Sequence, residues 1–199
     1  DAPQGEGLHI DDFTVNVDGN TAYFESFEDS TMAGWESVDE TSTNPEWHTD
    51  EYGAYGGSGK SWWVGNSEIG SVGGYGDNWY QVLDTPPVTL PEGPSVYSVT
   101  FDQKRAIEGL CIPSGGNFCP SCETGSSLNQ VTDESVDGWD AFNVRISSDG
   151  GDTWEVLTNV TPEYNHQQNW AFGWTHGEGC GIPAWGGPEL TNPTWEQTE

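Results

Sequence analysis

The chain has 199 residues, and 33 acids stand against four basic residues, Lys60, Lys104, Arg105 and Arg145, giving a formal net charge of −29. Such a surface repels nucleic acid and anionic membranes, and no apolar run approaches the roughly 20 residues that a membrane helix needs. High net charge with low hydropathy is a signature of disorder, but 11 Trp, 7 Tyr and 7 Phe argue for a folded chain, because aromatic rings bury large areas. The length suits one domain, or one domain with part of a neighbour. The acidic excess fits an extracellular setting rich in salt or calcium, where counterions screen self-repulsion. The opening DAPQGEG carries neither an initiator Met nor a signal peptide, so the expected product is a mature or excised segment of a longer precursor.

Residues 8–17 (LHIDDFTVNV) alternate apolar and polar side chains up to Asp18-Gly19, and residues 22–28 (AYFESFE) alternate again. Two such runs around Asp-Gly predict a hairpin. Short strands are expected over 35–38, 46–49, 61–65 and 79–83, between glycine-rich loops at 52–59 and 66–78. Pro86 and Pro87 stop the last of these, because proline cannot donate to a ladder. Residues 88–90 read as a short edge, and 95–103 (SVYSVTFDQ) as a cleanly alternating strand. Residues 106–136 read as a long cysteine-bearing insertion. In DGWDAFNVRISSDGGDTW (137–154), Phe142, Val144 and Ile146 alternate with polar residues before a Ser-Ser-Asp-Gly-Gly-Asp turn, which predicts a second hairpin. Aromatics among Gly, Pro and Asn fill 159–199, with one strand expected near 170–174 and a polar ending, NPTWEQTE. Many short strands with no helical period predict an all-β fold, an antiparallel β-sandwich or jelly roll.

The ordered set FESFEDSTMAGW (24–35), SWWVGN (61–66), DNWYQVLDTPPVTL (77–90), VTFDQ (99–103) and DGWDAFNVRISSDGGDTWEVL (137–157) resembles the MAM-like and cleaved-adhesin or choice-of-anchor jelly-roll modules of large secreted bacterial proteins. Such modules are also appended to immune-inhibitor-A-type metalloproteases. The resemblance covers about residues 22–175. It implies a calcium-stabilised sandwich serving adhesion, glycan or substrate binding, or packing against a catalytic domain. Ser147, Asp149, Gly151, Thr153 and Trp154 are similar to the Asp-box turn of sialidases, which is structural and implies no glycosidase activity. One departure from the family is positional. Its closing strand, of the form Ile-Asp-Asp followed by apolar alternation, stands here at Ile10-Asp11-Asp12-Phe13-Thr14-Val15, ahead of the first strand. Residues 1–19 are accordingly read as separate from a module at 20–199, as the tail of a preceding module, a permuted closing strand, or a strand donated to a neighbouring molecule. An incomplete sandwich exposes an edge that invites other copies or adjacent modules.

The acids expected to hold Ca²⁺ are Asp11, Asp12, Glu25, Glu28, Asp29 and Asp137, since calcium takes six to eight oxygens from carboxylates and loop carbonyls. Cys111, Cys119, Cys122 and Cys180 suit two disulfides, with a zinc site the rival because Cys119 and Cys122 have ligand spacing and His176 lies near Cys180. Trp185 and Trp195, bracketed by Gly and Pro, are the ring faces offered to a glycan. His9, His48, His166 and His176 form no HExxH pair, and no Gly-x-Ser-x-Gly elbow appears, so the chain reads as non-catalytic. Asn159-Val160-Thr161 is a glycosylation sequon in form. The expected function is a secreted calcium-binding module for adhesion, surface assembly or glycan and substrate binding. The alternatives are a piece of a secreted metalloprotease or polysaccharide-degrading enzyme, and a subunit that forms filaments by strand exchange through residues 8–17.

Overall fold

The structure is a computed structural model that describes residues 5–29, 34–39, 46–69, 74–76, 79–108, 138–169, 171–172, 178, 181–187 and 193–199. It is all-β, built from antiparallel sheets in a sandwich architecture. The chain forms two compact units. One combines Gln4–Arg105 with Pro193–Glu199, and the other is Ala106–Asn192. The chain therefore divides elsewhere than at residue 19, because the first strand is an internal part of the first unit's sheet.

That sheet contains β1 (Gly7–Val17), β2 (Asn20–Glu25), β4 (Trp47–Asp50), β5 (Ser61–Val64), β7 (Tyr97–Ala106) and β10 (Trp195–Thr198), in the order β10-β7-β1-β5-β4 with β2 also on β1. A two-stranded ribbon pairs β3 (Glu36–Asp39) with β6 (Gln81–Asp84). The expected first hairpin forms. Asp18 and Gly19 take positive φ of 50° and 75° between Val17 and its partner Asn20, the primed turn that matches strand twist. Val96 closes over this turn, donating its N–H to Asp18 Oδ1 at 2.9 Å and accepting the Asp18 N–H at 2.8 Å. Ile10–Val15 lies in β1, between β7 and β5 in this sheet. The segment NPTWEQTE, expected to be a polar tail, supplies β10, with Trp195 opposite Lys104 and Thr198 opposite Phe101. β7 runs three residues past its expected end because Lys104 and Arg105 find carboxylates to pair with, so their burial is tolerated.

One face of the sheet carries an aromatic core. Trp62 is fully buried, Phe27 and Trp35 nearly so. Trp35 meets Phe13 edge-on at 5.1 Å and Phe27 at 5.0 Å, and donates its indole N–H to Tyr23 Oη at 2.9 Å. Edge-to-face rings at these separations stabilise beyond their area, which is how a chain short of leucine builds a core.

In the second unit the second expected hairpin forms between β8 (Arg145–Ile146) and β9 (Glu155–Val156). Asp149 organises its turn, accepting from Thr153 N–H at 2.9 Å, Thr153 Oγ1 at 2.5 Å and Ser147 Oγ at 2.8 Å. Those three donors hold its carboxyl down to about 2 although it is fully exposed. Phe142 and Trp185 exchange backbone hydrogen bonds at 2.8 Å in both directions. The His166 ring is wedged between Gly138 and Gly186, where a Cβ would come within 2.0 and 1.9 Å of its Cε1. The edge strand expected at 88–90 is absent, and most of 170–174 lies outside the described residues.

Replacing Trp62 by Ala is expected to lower the stability of its unit by about 3–5 kcal/mol, as for other large buried aromatics, read from the shift in denaturant midpoint. Trp154→Ala removes a ring that is 45% exposed, and the same measurement on the second unit should move by under about 0.5 kcal/mol.

Candidate functional site

β1 changes partner midway. Leu8, His9 and Ile10 pair with Val64, Trp63 and Trp62 of β5, whereas Phe13 to Val17 pair with β2. Asp11 and Asp12 fall in the gap between those pairings, and Asp12 sits there at φ 48°, a conformation that non-glycine residues hold only where surroundings impose it. The Asp11 side chain is buried and accepts the Asp12 N–H at 2.9 Å and the Tyr55 N–H. Its carboxyl is nonetheless pushed up to about 7. Burial is the main cause, the charges of Asp12 and Glu28 add to it, and the two N–H donors hold it back. Asp102 of β7 is raised for the same reasons, burial first and then the charge of Asp12. Glu28 reaches the group from the loop after β2. It accepts the Lys60 N–H at 3.1 Å and lies across Gly59, where a Cβ would come within 2.1 Å of its Oε1.

The charges of Asp12 and Glu28 act on Asp11, and that of Asp12 on Asp102, so carboxylates from β1, β7 and the loop after β2 border one notch, while Lys104 is paired with Glu6 and Arg105 with Glu196. Among the described residues no three His, Cys, Asp or Glu side chains converge into a preformed metal centre. The donor set is nevertheless all oxygen, which is the chemistry a hard divalent cation takes. Glu28 is exposed and Asp12 half-buried, so both have room to turn toward Asp11. Of the remaining expected ligands, Glu25 is occupied with its own loop, accepting the Phe27 N–H at 2.9 Å, and so does not join the notch. Asp29 is exposed beside Glu28. Asp137 lies outside the described residues, as do Cys111, Cys119, Cys122 and Cys180.

Beside the notch, the same strands bury a second polar group. His9 is fully buried, with its ring stacked on Trp63 at 5.4 Å and 5°. Its Nε2 lies 2.9 Å from Glu6 Oε1, and its Nδ1 lies 3.4 Å from Ser61 Oγ. Lys104 Nζ donates to Glu6 Oε1 at 2.5 Å and to the Gly53 carbonyl at 2.8 Å. Burial drives the His9 pKa down to about 4, with the Lys104 charge helping and Glu6 opposing. For Glu6, burial raises the pKa, but the contacts from His9 and Lys104 outweigh it and the net shift is downward. Acid, imidazole and hydroxyl are in the order of a nucleophilic triad. Ser61 is fully buried, however, so the three residues lie packed against one another inside the sheet.

Of the two tryptophans expected to face a glycan, Trp185 is buried and Trp195 is half-buried. Trp185 is 1% exposed, packed 4.4 Å from Tyr164, with its indole N–H shared between the carbonyls of Pro162 and Glu163. It is core of the second unit because the flanking glycines let the chain close around it. Trp195 gives its N–H to the Gly53 carbonyl at 3.2 Å and its ring to Tyr55, His9 and the Lys104 ammonium. Glu6, Ser61, Asp102 and Lys104 were not singled out from the sequence. The signal available for two of them was parity, since Asp102 and Lys104 share one face of an alternating strand with no room for solvent at its centre.

His9 sets a pH dependence. Its folded pKa, about 4, lies below the ordinary 6.5, so the unfolded chain binds the proton more tightly. The stability associated with neutral His9 is complete above 6.5 and is lost as pH falls from there toward 4. The loss at the lower end is about 3 kcal/mol. Asp11, raised to about 7, contributes in the opposite direction over the same window, so the His9 part is read as the difference in urea midpoint between wild type and His9→Gln, which should shift against the wild type as pH falls from 6.5 toward 4.

No protein-family model, curated protein or solved structure matches the chain, so the likeness to MAM-like and choice-of-anchor modules stands on the quoted segments alone.

Proposed function

We propose that the chain is a non-catalytic, extracellular β-sandwich module for adhesion or surface assembly, steadied by Ca²⁺ held at Asp11, Asp12 and Glu28. The observation that carries this reading is the notch itself. Carboxylates from separate elements raise one another's cost of ionisation at the residue pair where β1 leaves one partner strand for another. A divalent cation there would offset that repulsion and tie β1, the loop after β2 and β7 together. Asp102 is placed to contribute from β7. A net charge of −29 supports a setting where cations are plentiful.

Assembly is favoured over glycan binding because the two expected ring faces are used internally, while a sheet edge is not. Among the described residues β2 pairs only with β1, and Phe24 on it is 54% exposed. A strand from another copy or an adjacent module can add to such an edge by main-chain hydrogen bonds. The burial of Ser61 and His9 supports the non-catalytic part of the reading.

Titrating metal-free protein with CaCl₂ should raise the melting temperature, with stabilisation of about 2.7 kcal/mol at a hundredfold excess over Kd. Asp11→Asn, Asp12→Asn and Glu28→Gln should each blunt the rise, and Glu25→Gln should leave it intact. An unchanged melting curve at millimolar Ca²⁺, together with no heat of binding by calorimetry, would sink the calcium reading.

A further inference from the structure

The loop after β9 alternates in exposure from residue 159 to residue 166. Val160, Tyr164 and His166 are buried and Pro162 is half-buried, whereas Asn159, Thr161, Glu163 and Asn165 are exposed. The inward set is firmly held. Trp185 donates its indole N–H to the carbonyls of Pro162 and Glu163 at 3.0 and 3.2 Å, and Tyr164 packs 4.4 Å from that indole. His166 exchanges backbone hydrogen bonds with Ala184 at 2.9 and 3.0 Å. With Val160 pinned between them, Asn159 and Thr161 both stand on the solvent side.

Asn159-Val160-Thr161 is also the one Asn-x-Ser/Thr triplet in the chain whose middle residue is not proline. Its asparagine is set apart a second time by its surroundings. Asn20, Asn143, Asn165 and Asn169 donate their carboxamides to the carbonyls of Asp18, Pro183, Gly186 and Asp140, while Asn16 and Asn66 accept from Thr21 and Glu68. Among the described asparagines, Asn159 alone gives its carboxamide to no protein group. Its Nδ2 is thus open to solvent, and the hydroxyl that completes the acceptor triplet stands exposed two residues on. Because the neighbouring side chains that point inward carry the packing, bulk attached at Asn159 extends away from the core.

We propose that Asn159 is an N-glycosylation site, the acceptor for a sugar activated on a diphosphate carrier. Asn159 Nδ2 attacks the anomeric carbon of the sugar. The new C–N bond replaces the C–O bond to the diphosphate, which leaves with that bond's electron pair, and one Nδ2 proton passes to a base of the transferase. The carrier is a polyprenol or a nucleotide, since both present the same electrophile. The site goes beyond the adhesion and calcium reading and rests only on its extracellular part.

Peptide mapping by mass spectrometry, on the full chain purified from the organism that makes it, should find the Asn159 peptide carrying sugar. An amidase that releases N-glycans should convert the linked asparagine to aspartate. A preassembled oligosaccharide at Asn159 identifies a polyprenol carrier and a single sugar identifies a nucleotide; either result supports the site. Expressed in the same organism, Asn159→Gln and Thr161→Ala should lose the sugar and Thr161→Ser should keep it. Stripped of sugar, wild type and Asn159→Gln should melt at the same temperature, because the Asn159 side chain holds nothing in the fold. A chain recovered outside the cell with Asn159 bare overturns the proposal and leaves the extracellular reading standing. A chain retained inside with Asn159 bare overturns both.

Discussion

Everything in the first unit's sheet depends on how charge is buried on β1 and β7. A lone ammonium or carboxylate in that position would cost several kcal/mol, and removing one partner of a buried pair strands the other. Lys104 is tolerated because Glu6 and the Gly53 carbonyl take two of its protons, with the Trp195 ring nearby. Glu6 in turn is fixed by Lys104 and His9. The strand ending at Ala106, the loop at 51–60 and the C-terminal strand are all held by this one group. Among the described residues the carboxylates of Asp11 and Asp12, a few residues along the same strand, form no ion pair, which separates them from this paired polar layer.

The fold class was legible because it depends on local rules. Alternation around Asp18-Gly19, and the Ser147–Trp154 turn with its glycines at 150 and 151, name hairpins through backbone chemistry that needs no distant partner. What was not legible had distant partners. β10 reads as a polar tail because Glu196 and Thr198 are polar, and only the arrival of Arg105 and Gln103 makes them strand residues. Trp185 reads as exposed because Gly and Pro flank it, yet those neighbours let Phe142 and Tyr164 close on it. Glu25 and Glu28 sit three apart and look equivalent in sequence. The positive φ at Phe27 turns Glu25 onto its own loop and leaves Glu28 to reach Gly59.

These geometries also separate the functional readings. The acid, imidazole and hydroxyl of Glu6, His9 and Ser61 lie inside the sheet, which supports the proposed non-catalytic reading. Of the two rings weighed for a glycan, Trp185 is core of the second unit and Trp195 is half-buried. Among the described residues, the exposed Glu28 carboxylate and the main chain along β2 are the resources the proposed assembly module would use.

Lys104 of β7 lies directly opposite Trp195 of β10. The chain leaves the sheet just beyond one of these residues and re-enters it just before the other, at the spacing of two neighbouring strands. For the sheet, residues 107–194 are therefore the connection between two neighbouring antiparallel strands. The entropy of closing a loop grows only with the logarithm of its length, so a turn of that size weakens the pairing far less than its length suggests. The sheet's last strand is then specified by its own few contacts, Trp195 on Gly53, Glu196 on Arg105 and Thr198 on Gln103.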